Sequence, residues 1–167
     1  MQKFFYRTLR PEDVDAWQTL RVEGVKNFPL GFLLTIEEAV SASAERCRKT
    51  LASRGFRGIF LDNKLIGFCG YRHLNLSRTR HRGEIGPFFV AEEFHGSDAA
   101  NKLMSGVIRE AKESGIERLE LYVDQENKRA IAFYEKQGFR YLGTLHDSIR
   151  IEGLSRTDCF YALQLTE

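Results

Sequence analysis

An α/β sandwich on a mixed sheet is the fold this sequence predicts, and three observations predict it. Apolar periodicity alternates between two and 3.6 residues along the chain. The resulting order is strand, helix, helix, three strands, helix, strand, helix, strand, strand. Two of the helices lie between strands, as right-handed strand–helix–strand crossovers require. The chain closes on two apolar runs around a turn-rich stretch, which reads as an antiparallel hairpin.

The first strand is Phe4 to Leu9. Pro11 suits the first turn of a helix, and Glu12 and Asp13 lie at the positive end of its dipole. Val14, Trp17, Leu20 and Gly24 form a stripe reaching about Asn27, where Asn27-Phe28-Pro29-Leu30-Gly31 breaks it. Thr35 and Glu38 have capping-box spacing, and Ile36, Val40, Ala44, Cys47 and Leu51 make the apolar face of one further helix. Phe56 to Leu61 and Leu65 to Tyr71 are strands joined by a turn at Asp62-Asn63. The loop from Leu74 to Arg82 is basic, through Arg78, Arg80, His81 and Arg82, and reads either as a solvated loop or as an anion contact.

Glu84 to Val90 is a strand interrupted by Gly86-Pro87. Proline has no amide to donate, so the strand should bulge there or part from a neighbour. A helix from about Ser97 to Ser114 buries Ala100, Leu103, Met104, Val107, Ile108 and Ala111, and Gly115 ends it. In the strand Arg118 to Val123, Leu119, Leu121 and Val123 share one face, with Glu120 and Tyr122 on the other. Asn127 caps a helix with Ala130, Phe133, Tyr134 and Gln137 on one side, and Gly138 stops it. Tyr141 to His146 and Cys159 to Leu165 are the closing strands, with Gly153 in the turn-rich stretch between them.

A chain of 167 residues predicts one domain, covering 1–167, with a core that needs no staples. The net charge of +2 is too small to imply nucleic acid. No apolar run approaches the length of a membrane span and no leader follows Met1, so no membrane partner and a cytoplasmic location are expected. Cys47, Cys69 and Cys159 are odd in number and scattered, as are the four histidines, which argues against a disulfide framework and against a metal.

The string from Asn127 to Phe139 carries more than a helix. It resembles the last helix of the GNAT N-acetyltransferases, Asn-x-x-Ala-(x)₃-Tyr-Glu-Lys-x-Gly-Phe, and matches at each of those positions. Residues 90–103 are similar to that family's pyrophosphate loop, with Gly96, Ala100 and Leu103 where the pattern wants them. The resemblance implies a mixed, mostly antiparallel sheet flanked by helices on both faces. It also implies acetyl-CoA as cosubstrate, without a metal. Asn127 would contact the coenzyme arm, and Tyr134 would protonate the departing thiolate. Phe88, Phe89 and Val90 would offer main-chain groups to the pantetheine. His95, Gly96, Ser97, Asp98, Ala99 and Ala100 would hold the pyrophosphate on helix amides. The basic loop then gains a sharper reading, as a contact for the adenosine 3′-phosphate.

Three positions depart from the pattern. Glu92 stands for a proline, and His95 stands for arginine or glutamine as a weaker cation. Asp98 stands for the second glycine, where it would bring a Cβ to a positive-φ position and a charge beside a pyrophosphate, unless it simply caps the helix. Lys102, Lys128 and Arg129 could compensate in part.

Acetyl transfer to an amine needs a proton donor, a hydrogen bond to the thioester carbonyl and a neutral nucleophile. Tyr134 is the expected acid, an amide near Phe89 or Val90 the carbonyl donor, and Glu84 the expected base, with His73 and Asp124 behind it. Phe28 to Leu34 should wall the acceptor cleft, with Asp158 and Tyr161 as a polar side. The expected acceptor is a primary amine of a small molecule or amino acid, attacked directly in a ternary complex. Two other readings stand beside it: a degenerate acyl-CoA-binding or regulatory module without turnover, and a nucleic-acid-binding domain suggested only by the basic loop. A homodimer stays open.

Overall fold

The computed structural model describes residues 3–166. Its seven strands form one sheet in the order β1-β2-β3-β4-β5-β7-β6. In chain order these are β1 (Phe4–Thr8), β2 (Phe56–Leu61), β3 (Lys64–His73), β4 (Arg82–Val90), β5 (Arg118–Asp124), β6 (Arg140–Ile151) and β7 (Leu154–Gln164). Every pairing is antiparallel except β4 with β5. The helices are α1 (Val14–Asn27), α2 (Ile36–Ser41), α3 (Ala44–Ala52), α4 (Ala99–Glu113) and α5 (Lys128–Lys136).

Strand alternation sends neighbouring residues into two separate cores. On β2, Ile59 and Leu61 join the core that holds Leu103, Met104 and Val107 of α4, while Phe60 joins the core of α1 to α3. On β4, Val90 and Phe89 divide in the same way. Helices therefore cover both faces of the sheet. Trp17 anchors the second core, fully buried, with its ring 5.1 Å from Phe56 and 6.1 Å from Phe68.

Local signals hold at several turns. Asp62 and Asn63 take φ of 47° and 71°, the left-handed pair that a two-residue hairpin needs. The capping box forms: Glu38 N–H donates to Thr35 Oγ1 at 3.1 Å, and Thr35 N–H donates to Glu38 Oε2 at 2.9 Å. The expected single helix behind it is two. Ser43 Oγ accepts from Arg46 N–H at 3.1 Å and starts α3, and Val40, expected on the apolar face, is exposed. The closing hairpin is longer than expected, because the stretch after His146 continues β6 as far as Ile151. β6 is an edge strand with both faces largely exposed, so its residues lack the apolar alternation by which strands are recognised.

The site is opened by a split in the sheet. β4 pairs with β5 only from Arg82 to Glu84. On its other side the register with β3 slips between Cys69 and Tyr71, opposite Gly86-Pro87, so the bulge and the parting expected at proline both occur. Above the bulge β4 keeps β3 as its partner and leaves β5, opening a V in the sheet.

Buried Glu120 ties the closed end of the V. It accepts from Arg82 Nε at 2.9 Å and from Arg118 Nη2 at 2.7 Å, with Arg82 Nη2 on its other oxygen. Burial pushes this carboxyl up, but the hydrogen bonds of the two guanidiniums outweigh it and hold the group below the usual carboxylate range.

Candidate active site

Two adjoining clefts occupy the V. The first, of about 180 Å³, runs between the end of β4, the start of α4 and α5. The second, of about 360 Å³, lies between the β4 bulge, β5 and the closing hairpin. Phe32, Phe88, Asn127, Ala130 and Tyr134 line both. Of the Phe28–Leu34 segment expected to wall the acceptor cleft, Leu30 to Leu33 line the second cleft and Phe28, Gly31 and Phe32 the first. Of the expected polar pair, Asp158 lines the second cleft while Tyr161, like Leu34, lines neither.

At the first cleft, Gly96 has φ +83°, and a Cβ there would meet nothing within 4 Å. The left-handed residue of the loop is thus Gly96, not position 98. Ser97 Oγ donates to the Phe94 carbonyl at 2.6 Å and accepts from Ala99 N–H at 3.2 Å. The amides of Gly96, Asp98, Ala100 and Asn101 have no acceptor among the described residues. Unpaired amides around a glycine with an open α face form an anion cradle at the positive end of α4.

Asp98 differs from both expectations made for it. Its φ of −81° is ordinary for any residue, and its side chain makes no cap hydrogen bond. It lies along the helix instead, accepting from Asn101 Nδ2 at 3.1 Å with Lys102 Nζ at 3.7 Å. Neither Asp98 nor fully buried Ala99 lines a cleft.

His95 turns inward. Arg129 Nη1 donates to its Nδ1 at 2.7 Å, so Nε2 carries the proton and donates to the Val90 carbonyl at 2.7 Å. The imidazole is placed as a neutral clasp with its ring 5.3 Å from Phe28, and Arg129 provides the cation at the rim.

That hydrogen bond also orients β4. The Val90 carbonyl faces the open edge while Ala91 N–H reaches back to Ile66 on β3 at 2.8 Å. Strand alternation then turns the main-chain groups of Phe88 and Val90 toward the cleft and those of Phe89 toward β3.

Tyr134 stands where the clefts meet. Its ring is buried against Phe88, Phe133 and Phe139, at centroid distances of 6.2, 5.6 and 5.9 Å. Its hydroxyl has no hydrogen-bond partner among the described residues, yet is not sealed from solvent. Burial raises its pKa well above the ordinary phenol value, with the nearby Cys69 thiol adding to the shift, so the group keeps its proton. Asn127 Oδ1 accepts the Ala130 amide at 3.4 Å as the cap, and its side chain lines both clefts.

Glu84 is not brought to the site. It lines neither cleft, and its carboxylate pairs with Arg72 at 2.5 Å across the β3–β4 ladder. His73 is likewise drawn away, to the Tyr71 hydroxyl at 2.8 Å. The basic loop precedes β4 whereas the anion cradle follows it, a strand length of roughly 25–30 Å away. The sharper reading of that loop is corrected: Arg78, Arg80 and His81 are exposed, and Arg82 is spent on Glu120. Phe94 and Phe133 line the first cleft although a phenylalanine in sequence reads only as core, and Arg129, on α5 with Phe133, reads only as a compensating cation. Among the described residues no helix is long and apolar enough to cross a membrane.

The fold is shared by solved acetyltransferases. An N-acetyltransferase from Staphylococcus aureus Mu50 matches with a TM-score of 0.85 at 18% identity, covering 98% of this chain and 99% of that one. The putative acetyltransferase yncA from Salmonella typhimurium, solved with its cofactor acetyl-CoA, matches at 0.83 and 16%, covering 99% and 95%. At such identities the likeness is one of fold. Residues 16–139 match the model of the Acetyltransferase (GNAT) family, and the chain belongs to that family. A mycothiol acetyltransferase from Propionibacterium freudenreichii subsp. shermanii is 25% identical over 148 residues, 81% of this chain and 47% of that protein. An uncharacterized N-acetyltransferase from Mycobacterium tuberculosis is 39% identical over 84 residues, 50% of this chain and 51% of that one. The chain spans about half the length of the curated relatives it matches.

Proposed function

We propose that the protein is an acetyl-CoA-dependent N-acetyltransferase that moves an acetyl group to a primary amine of a small molecule in a ternary complex. The observation that carries this reading is the unpartnered Tyr134 hydroxyl at the junction of the two clefts. Acetyl-CoA supplies an acyl group activated as a thioester. The unpaired amides around Gly96 and the start of α4, with Arg129 at the rim, suit its pyrophosphate. The open edge of β4 at Phe88 and Val90 suits its amide-bearing arm, once His95 releases the Val90 carbonyl.

In the transfer the amine nitrogen forms a bond to the acetyl carbon, the carbon–sulfur bond breaks, and the amine loses one proton while the sulfur gains one. Tyr134 donates to the sulfur as negative charge gathers there. Its raised pKa suits a donor that must stay protonated until that moment. The Val90 amide, on the open edge, is the candidate donor to the carbonyl oxygen. The amine proton leaves through water or a carboxylate of the second cleft, because Glu84 is held by Arg72 outside it. Much of the acceleration comes from holding both reactants at one junction.

Release of coenzyme A thiol over a panel of primary amines tests the reading, with mass spectrometry of the acetylated product. Amine-dependent release supports it. Tight acetyl-CoA binding with no release over the whole panel would favour the degenerate, non-catalytic module.

A further inference from the structure

The second cleft is one-sided in its charge. Phe32, Pro87, Phe88, Tyr122, Leu145 and Ile149 give it apolar walls. Its only acidic lining residues are Asp124 and Asp158, side by side in the β5–β7 register, and no Lys, Arg or His lines it among the described residues.

The two carboxylates differ in how they are satisfied. Asp124 is fully engaged: Arg156 donates to both of its oxygens, at 2.9 and 2.8 Å, and Glu126 N–H adds a third bond at 2.9 Å. Asp158 has no cationic partner among the described residues. It is half-buried beside Ser148, and burial, with the neighbouring Asp124, raises its pKa above that of an ordinary Asp. A partly desolvated carboxylate with no counter-charge, in an otherwise apolar cleft, is matched by a cation that brings apolar surface with it. The volume has room for one aromatic or branched aliphatic group on a short arm, given that ~150 Å³ suffices for benzene.

We infer that the acceptor is a primary alkyl- or aralkylamine without a carboxylate of its own, and that Asp158 receives its ammonium. The inference rests on the acetyl-transfer reading to the extent that the second cleft is the acceptor cleft. An α-amino acid fits poorly, because its carboxylate would enter beside Asp158 and Asp124 with no cation lining the cleft to meet it. Tyr134 and Asp158 line the same cleft, so an amine first held as a cation by Asp158 is already in the chamber where Tyr134 presents its hydroxyl.

Calorimetric titration of phenethylamine, phenylalanine and phenylalanine methyl ester into the full chain with coenzyme A tests this, with thiol release from acetyl-CoA measured in parallel. Phenethylamine and the ester should bind, and phenylalanine should bind at least ~10-fold more weakly, the scale of one charged contact. Asp158→Asn should weaken phenethylamine ~10-fold or more and leave coenzyme A affinity unchanged. The ligand series needs no variant, so it stands even where Asp158→Asn fails to fold. Phenylalanine binding as well as its ester, none of the three binding, or a folded Asp158→Asn with wild-type affinity for phenethylamine would each overturn the inference. Thiol release with phenylalanine as fast as with phenethylamine overturns it while acetyl transfer survives. Selective binding without thiol release supports the assignment of the cleft and sinks the acetyl-transfer reading instead.

Discussion

Gly24 links the packing of the core to the shape of the site. It lies in α1 against Phe32, and a Cβ built there would come within 2.6 Å of Phe32 Cε2, with Cζ nearer still, and 3.2 Å from Phe89 Cδ1. Phe32 has little room to yield inward, because its ring is already 6.4 Å from Phe68 and 5.8 Å from Phe89. Gly24→Ala therefore drives Phe32 toward the two clefts it lines. The helix gains about 1 kcal/mol from replacing glycine. Overpacking costs about 1–3 kcal/mol. The net expectation is a loss of up to about 2 kcal/mol, or a fall in melting temperature of as much as about 8 °C for a chain of this size. Urea unfolding should show a lower midpoint at unchanged slope. In the thiol-release assay the KM for a bulky amine should rise more than that for a small one, since the cleft has narrowed. A variant stabilised by the full ~1 kcal/mol, with unaltered amine selectivity, would mean that Phe32 swings away freely and is not a fixed wall.

Other perturbations separate the remaining parts of the account. The Glu120 carboxyl lies below its unfolded value of ~4.3, so its contribution is present above that pH and is lost as pH falls through the lower folded value. Glu120→Gln should cost about 3 kcal/mol at neutral pH by leaving two guanidiniums without their anion. Urea midpoints measured against pH should show the gap between the two proteins narrowing below pH ~4. Asp98→Asn should tighten acetyl-CoA binding by only ~2–5-fold, since the carboxylate is exposed with Lys102 nearby, and Asp98→Gly should do no better because φ at that position is already negative. Calorimetry of the three proteins checks this, and a glycine gain far beyond the asparagine gain would count against it. Gly96→Ala meets no clash but must hold a positive φ at a cost of about 1–2 kcal/mol, read as weaker acetyl-CoA binding with little change in the KM for amine.

What was legible in the sequence was what local chemistry decides. Proline at 87 predicts a break because it lacks a donor, and the break is where the sheet splits. Gly138 predicts a helix stop and takes φ +100°. Asp62-Asn63 predicts a tight hairpin and forms one. What was not legible depends on partners far along the chain. Alternation set Glu120 opposite the leucines of its strand, a position that on an outer strand faces water. β5 is an inner strand, and of the two guanidiniums that satisfy Glu120 one comes from Arg118 on the same strand and the other from Arg82, which reads in sequence as part of a basic loop. Glu84 reads as a cleft carboxylate because it precedes the bulge, but the bulge follows it by two residues and leaves it within the paired ladder. Position 98 reads as strained by analogy with a glycine, whereas the chain makes its left-handed turn at Gly96.

The central claim is that a phenol at the junction of two clefts serves as the proton donor to the departing thiolate, and Tyr134→Phe isolates it. The substitution keeps the buried ring and removes a hydroxyl that has no partner among the described residues, so folding and the shape of both clefts should be retained. Steady-state kinetics with a confirmed amine, alongside calorimetry of acetyl-CoA binding, should show kcat reduced ~100-fold or more with coenzyme affinity within about twofold of wild type. A Tyr134→Phe protein that turns over at the wild-type rate would contradict the account.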